Sequence, residues 1–185
     1  MTELVTERLV LRRWREEDRE PFAAMNADPE VIRYFPSPLS RGESDASYDR
    51  MVAAFDRDGF TFFAVDERAG SRFVGFVGIR TLGLDDPLYP AVEIGWRLIS
   101  DVWRRGYATE AARRSIAFAW EVGLRELVGF TAALNQPSQR VFAKLGFARA
   151  AADDFDHPRV EPGHALQPHM AYRLANPGQV DPPET

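Results

Sequence analysis

The sequence predicts a single α/β domain in which a mixed sheet is flanked by helices. Short apolar runs typical of strands recur between longer segments whose apolar residues have helical spacing. The chain has 185 residues, of which 45% are hydrophobic, so it is long and apolar enough to enclose one core. We place this domain at residues 6–174. Residues 175–185 contain three prolines and no apolar pattern, so we expect a disordered tail there.

The first half of the chain predicts one strand, two helices and a hairpin. The strand covers residues 8–14, and acidic residues after it suit the start of a helix near residue 16. A second helix is predicted over residues 40–58, where the apolar side chains fall on one face. The hairpin joins apolar runs at 60–65 and 73–79 through a polar loop.

The second half predicts alternating strands and helices. We expect strands at 91–98, 127–133 and 169–174, and helices at 108–121 and 137–145. Residues 153–168 form a polar loop, whose length is typical of functional or mobile segments. The spacing of His157, His164 and His169 matches no established metal-binding motif. We therefore expect these histidines to make structural hydrogen bonds and to bind no metal.

A loop with the sequence Trp-Arg-Arg-Gly-Tyr-Ala-Thr joins the strand at 91–98 to the following helix. The start of a helix offers unpaired N–H groups and positive dipole charge, and a glycine allows close approach of a ligand. The loop can therefore bind an anion such as a pyrophosphate. An ordinary turn with solvated arginines is an equal alternative. The candidate residues are Arg104, Arg105, Gly106, Tyr107, Ala108 and Thr109.

Composition excludes several classes of protein. The net charge of -5 opposes a general nucleic-acid binder, and the absence of cysteine excludes disulfides and thiol catalysis. The N-terminus lacks the pattern of a secretory signal, and no apolar run approaches the ~20 residues that span a membrane. We therefore expect a cytoplasmic protein, as a monomer or homodimer, with no membrane or nucleic-acid partner.

Four motifs in order resemble the GNAT superfamily of acetyl-CoA-dependent N-acetyltransferases, and within it the ribosomal-protein-alanine N-acetyltransferase (RimJ/RimL-like) branch. They are Thr6–Arg12, Glu93–Trp96, Trp103–Ala111, and Asn135-x-x-Ser138 with Leu145-Gly146-Phe147. The resemblance implies one twisted mixed sheet of about seven strands. It also implies a V-shaped split between the strands at 92–98 and 127–133, in which acetyl-CoA lies.

The same resemblance implies how the chain holds acetyl-CoA. The pyrophosphate would lie on the N–H groups from Arg104 to Thr109. The pantetheine arm would pair like an extra strand with Trp96, Arg97 and Leu98. Asn135 would hold the arm near its reacting end.

The transfer itself needs a base for the amine and an acid for the leaving thiolate. Glu93 is the candidate base, and the alternative is a strand glutamate that faces solvent or pairs with an arginine. The superfamily often places a tyrosine acid where this chain has Phe142, which carries no proton to donate. The resemblance to the ribosomal-protein branch therefore assigns the acid role to Ser138.

The acceptor is a primary amine, and a protein N-terminus fits best. An α-amine has a pKa near ~8 against ~10.4 for lysine, so a single carboxylate suits it better. Small-molecule amines and a non-catalytic acyl-CoA sensor are alternatives. Tyr34 and Phe35 are candidates for the wall of the acceptor site, or else core aromatics, and for Trp14 we favour a place in the core.

Overall fold

The computed structural model describes residues 3–179, which form a nine-stranded sheet flanked by four α-helices. The strands are β1 (Leu4–Val5), β2 (Leu9–Arg12), β3 (Phe62–Glu67), β4 (Phe73–Thr81), β5 (Val92–Leu98), β6 (Glu126–Ala132), β7 (Ala148–Arg149), β8 (Phe155–Asp156) and β9 (Pro168–Ala175). The helices are α1 (Arg19–Ala27), α2 (Arg41–Asp58), α3 (Tyr107–Glu121) and α4 (Gln136–Leu145).

The strands pair in the order β1-β2-β3-β4-β5-β6-β9-β7, and β8 also pairs with β9. All these pairings are antiparallel except that between β5 and β6, so the predicted mixed sheet is confirmed. The count exceeds the six strands that the sequence patterns predict and the seven or so that the resemblance implies. The three that the patterns miss, β1, β7 and β8, have only two residues each. Such short strands carry no readable periodicity.

Two predicted segments differ from the structure. The polar loop expected at 153–168 contains β8, which pairs with β9 through Phe155 and His169. The expected disordered tail does not begin at residue 175, because Ala175 still belongs to β9. The side chain of Asn176 then donates a hydrogen bond of 3.0 Å to the carbonyl oxygen of Leu124. Residues 180–185 of the expected tail lie outside the described residues.

A split divides the sheet between β5 and β6. These strands pair at one position, Glu93 with Val128, whereas β4 pairs with β5 along its whole length. Phe142 of α4 lies beside β6 where the strands separate, because Gly129 leaves room for its ring. The ring of Phe142 stacks on Tyr172 at 4.5 Å and contacts Trp96 at 4.7 Å between centroids.

A buried ion-pair cluster ties the start of α1 to the sheet. Arg12 donates to both oxygens of Asp18 at 2.7 and 2.8 Å, and to both oxygens of Asp66 at 2.6 and 2.8 Å. Burial lowers the pKa of Arg12, but its hydrogen bonds to the two carboxylates outweigh this effect, so the pKa is raised. A buried charge is tolerated here because every part of it is paired.

Among the four described helices, none combines the length and the apolarity that crossing a membrane requires.

Replacement of Gly129 by alanine tests the packing beside the split. A Cβ at Gly129 would stand 2.2 Å from Cε1 of Phe142, whose ring is held between Tyr172 and Trp96. We expect Gly129→Ala to lower the free energy of unfolding by about 1–3 kcal/mol in urea denaturation. Gly42→Ala is the control, since no atom lies within 4 Å of its Cβ position. Equal stability of Gly129→Ala and the wild type would contradict this account.

Candidate active site

The loop before α3 presents a row of unpaired backbone donors. Gly106 has φ 83° and directly precedes the helix, and Arg104 also has a positive φ of 62°. The first N–H of this segment to find an acceptor is that of Glu110, which donates to Gly106 at 3.0 Å. Within residues 3–179, the N–H groups of residues 104–109 find none. Six free donors at the positive end of a helix can hold a pyrophosphate.

Side chains of this loop fix its shape and supply little free charge. The indole N–H of Trp103 donates to the carbonyl oxygen of Leu98 at 2.9 Å, which ties the loop to the end of β5. The hydroxyl of Tyr107 donates to Glu67 at 2.8 Å, and Arg105 pairs with the same carboxylate at 3.3 Å. Arg104 makes no ion pair in the described part of the chain, so its charge stays available to an anion.

The backbone of β5 faces the split at alternate residues. The N–H of Ile99 donates to Val74 on β4 at 3.0 Å. Backbone N–H and C=O groups point to opposite edges at successive residues of a strand. Those of Arg97 therefore also point toward β4, whereas those of Trp96 and Leu98 point into the split. The pantetheine arm was expected to pair with Trp96, Arg97 and Leu98. Only the backbone groups of Trp96 and Leu98 are oriented for such a pairing.

The start of α4 borders the split from the other side. The carbonyl oxygen of the Asn135 side chain accepts a hydrogen bond of 3.2 Å from the N–H of Ser138 and so caps the helix. The Nδ2 group of Asn135 and the hydroxyl of Ser138 make no hydrogen bond to the described residues. Both are therefore available to a ligand. Phe142, one turn further along, fills the split with an apolar ring.

Glu93 combines both roles that the sequence left open. Its Oε2 accepts a hydrogen bond of 2.6 Å from Nε of Arg80, while Oε1 has no partner among the described residues. Oε1 lies 3.6 Å from the position that a Cβ of Gly95 would take, so it points along β5. Burial raises the pKa of Glu93, and Arg80 opposes that rise. The carboxylate is thus paired through one oxygen and free to take a proton through the other.

Arg80 and Asp86 were not predicted as site residues. Arg80 lies directly opposite Glu93 in the β4–β5 register and also pairs with Asp86 at 3.2 Å. An arginine at the end of an apolar strand is a visible signal in the sequence, but its partner depends on the strand register. Asp86 is in turn fixed by the N–H of Gly83 at 2.8 Å.

Glu93, Gly95 and Arg97 share one face of β5 because strand side chains alternate. On this face the ring of Phe35 covers the guanidinium of Arg97 at 4.0 Å. The ring is 39% exposed, so solvent reaches this end of the face. Tyr34 instead packs against a small apolar cluster formed by Ala132, Val160 and Leu166. Trp14 is 8% exposed within the main core, as favoured from the sequence.

An aromatic cluster extends from β6 to β9 near this face. The rings of His157 and His169 lie 4.7 Å apart, and Phe155 stacks on His169 at 5.5 Å. Burial, followed by the charges of His169 and Arg159, lowers the pKa of His157 to about 4, although Asp86 opposes the shift. Residues 3–179 contain no group of three or more His, Cys, Asp or Glu residues that could hold a metal ion.

Comparison with known proteins identifies relatives of this chain. Residues 8–148 match the family model described as an acetyltransferase (GNAT) domain. The uncharacterized N-acetyltransferase YoaA of Bacillus subtilis (strain 168) is 26% identical over 152 residues, which cover 79% of this chain and 82% of that protein. These matches confirm the superfamily that the four motifs indicate.

Solved structures share the fold. An acetyltransferase from Agrobacterium tumefaciens str. C58 superposes with a TM-score of 0.77 at 24% identity, over 95% of each chain. RimL, a ribosomal L7/L12 α-N-protein acetyltransferase in complex with coenzyme A, superposes with a TM-score of 0.75 at 14% identity, over 94% of this chain and 98% of its own. The expected likeness to the ribosomal-protein branch is confirmed in the fold.

Gly106→Ala tests whether the loop before α3 binds coenzyme A through its backbone. An alanine at a φ of 83° is disfavoured by about 1–2 kcal/mol. The free loop of the variant can relax to avoid this strain, and ligand binding must then impose the strained conformation again. We expect about 5- to 30-fold weaker binding of coenzyme A in calorimetric titration. Gly59→Ala is the control, because Gly59 has φ 78° at the end of α2 and carries the same strain. It should lower stability without changing affinity, and equal affinities of all three proteins would contradict the assignment.

Proposed function

Since this chain belongs to the acetyltransferase (GNAT) family and is an N-acetyltransferase, we propose that it moves the acetyl group of acetyl-CoA to the α-amine of a protein N-terminus. The observation that carries the proposal is the state of Glu93. This carboxylate is buried, held through Oε2 by Arg80, and unpaired at Oε1. It is a single carboxylate base, with a pKa that burial raises, beside the sheet split.

Amine acidity connects this base with the acceptor. Near neutral pH about a tenth of α-amines with a pKa of ~8 are already neutral, against well under ~0.1% of lysines. Burial raises the pKa of Glu93, which makes it a better proton acceptor than an exposed glutamate, but Arg80 keeps that rise in check. One carboxylate of this kind can deprotonate an α-amine directly or through a water. It is less suited to lysine.

The residues of the split and of the α3 loop would hold the donor. The N–H groups from Arg104 to Thr109 would carry the pyrophosphate of acetyl-CoA. The backbone groups of Trp96 and Leu98 would pair with the pantetheine arm, and Nδ2 of Asn135 would donate to it. The carbonyl of Leu98 already accepts the Trp103 indole at 2.9 Å, so its N–H is the freer group for the arm or for the thioester oxygen.

The reaction would then proceed by direct attack. The amine nitrogen forms a bond to the thioester carbonyl carbon, and its proton passes to Oε1 of Glu93. The carbon–sulfur bond breaks, and the thiolate takes a proton from the hydroxyl of Ser138, which receives a proton from solvent water in the same step and so stays neutral. Phe142 cannot supply that proton, and its contact with Trp96 instead keeps the reacting end of the split apolar.

The choice of acceptor is tested by measuring release of free coenzyme A. The panel contains short peptides with free Ala, Ser or Thr N-termini, the same peptides acetylated at the N-terminus but with a free lysine, polyamines, aminoglycosides and amino acids. We expect release only with the free N-termini. Release with a small amine alone would make this a metabolite- or drug-modifying enzyme. Binding of acetyl-CoA without release from any acceptor would favour the sensor alternative.

Two substitutions test the assigned acid and base. Glu93→Gln and Ser138→Ala should each lower kcat by about 10²-fold or more while acetyl-CoA affinity stays unchanged. Ser138→Ala keeps the backbone N–H that bonds to Asn135, so the cap of α4 survives. Glu121→Gln, which alters an exposed carboxylate on α3, serves as the control. Normal turnover in either active-site variant would remove that residue from the mechanism.

A further inference from the structure

Arg97 is a half-buried arginine that has no carboxylate partner within residues 3–179. Its Nη1 donates to the side-chain carbonyl of Asn26 on α1 at 2.5 Å. Its Nε is the one buried side-chain nitrogen or oxygen in residues 3–179 that lacks any hydrogen bond. The ring of Phe35 covers the guanidinium at 4.0 Å. Nε and Nη2 therefore remain as unused donors on the face of β5 that also carries Glu93.

Arg12, which is buried, shows how this fold otherwise treats an arginine charge. Arg12 is bonded through Nε, Nη1 and Nη2 to the four carboxylate oxygens of Asp18 and Asp66. Arg97 has only the neutral amide of Asn26. Burial accordingly lowers the pKa of Arg97 to about 10, and no carboxylate offsets the loss. A guanidinium that is largely shielded from water in this way is costly unless a ligand completes its pairing.

Asn26 holds Arg97 in a fixed orientation. Asn26 is fully buried, and its Nδ2 donates to the hydroxyl of Ser44 on α2 at 2.8 Å. That bond leaves the carbonyl oxygen of Asn26 pointing at Arg97. The chain from Ser44 through Asn26 to Arg97 is therefore built in advance. A prearranged guanidinium with two free donors is the geometry that binds a carboxylate.

We propose that Arg97 binds a carboxylate of the acceptor, supplied by an acidic side chain at the second or third residue of the acetylated N-terminus. This inference rests on the proposed function and specifies its substrate class. Arg97 becomes a specificity residue, separate from the groups that carry out the transfer.

The spacing on β5 favours a peptide over a free amino acid. Glu93 and Arg97 are four residues apart, and a strand rises ~3.3 Å per residue, so their Cα atoms are ~13 Å apart. Oε1 of Glu93 points along β5 toward Gly95, so the gap that a ligand must bridge is shorter than this Cα separation. The α-carboxylate of an amino acid stands only two bonds from its amine. In an extended peptide, which advances ~3.3–3.6 Å per residue, a side-chain carboxylate one or two residues along stands farther from the amine and spans the gap more readily.

The phosphates of coenzyme A are a less suitable partner. The free N–H groups for the pyrophosphate lie beyond the end of β5, at residues 104–109. The side chain of Arg97 turns instead toward α1 and Phe35. If Arg97 served the cofactor, its loss would weaken acetyl-CoA binding equally for every acceptor.

The first experiment uses the wild-type enzyme and matched acceptors. Peptides with Asp at the second or third position are compared with the same peptides carrying Asn, and alanine is compared with alaninamide. We expect kcat/KM to be about 10- to 100-fold higher for the Asp peptides, as for a hydrogen bond to a charged group. Alanine and alaninamide should not differ. This comparison needs no variant and does not depend on how any variant folds.

The second experiment assigns the preference to Arg97. Arg97→Met should reduce the Asp/Asn ratio of kcat/KM to near one, and Arg97→Lys should restore it in part, while both keep the acetyl-CoA affinity of the wild type. Arg114→Met, which alters a partly exposed arginine on α3, is the control and should keep the full ratio.

Equal rates for Asp and Asn peptides, or an Asp preference that persists in Arg97→Met, would overturn the inference while leaving the proposed function intact. A preference for alanine over alaninamide without any difference between peptides would overturn it as well. Absence of coenzyme A release with every acceptor is the failure of the proposed function instead.

Discussion

The separation of β5 from β6 is the constraint on which the rest of this structure depends. Parallel strands gain stability by pairing, yet these two pair only through Glu93 and Val128. The ring of Phe142 lies against Gly129 and contacts Trp96, so side-chain packing takes the place of the missing ladder. Backbone groups of β5 are left without a strand partner as a result. The split is thus stabilised by its aromatic filling, and it exposes the donors and acceptors that an extended cofactor arm needs.

The same strand also positions the chemistry. Because side chains alternate along β5, those of Ile94, Trp96 and Leu98 pack into or against the core, while Glu93 and Arg97 share the other face. The strand pairing with β4 then places Arg80 directly opposite Glu93. A glutamate that is 8% exposed would be strongly disfavoured as an anion without that arginine, and a fully paired one would be a poor base. Pairing through one oxygen only is a compromise between these demands.

The sequence predicts local features of the site better than its long-range contacts. Gly106 at the start of α3 and Asn135 before α4 follow from helix-capping rules and from the motifs, and the structure places both at helix starts. The Arg80–Glu93 pair depends on strand register, which hydrophobic patterns do not specify across a loop of ten residues between β4 and β5. The role of Arg97 was hidden for a related reason. Its position in the strand predicted to bind the cofactor suggested a backbone role, whereas its side chain leaves the sheet toward α1.

Arg12 and Arg97 show two ways in which this fold compensates the charge of an arginine that is shielded from water. Arg12 is surrounded by Asp18 and Asp66 and joins β2 and β3 to the start of α1, so its charge is fully compensated within the chain. Arg97 is equally placed to receive a carboxylate but receives an amide, although a residue such as aspartate at position 26 would have paired it. An aspartate there would satisfy the guanidinium permanently and leave nothing for a ligand to gain. Asn26 instead orients Arg97 without neutralising it, so the missing half of the pair becomes binding energy for whichever acceptor brings it.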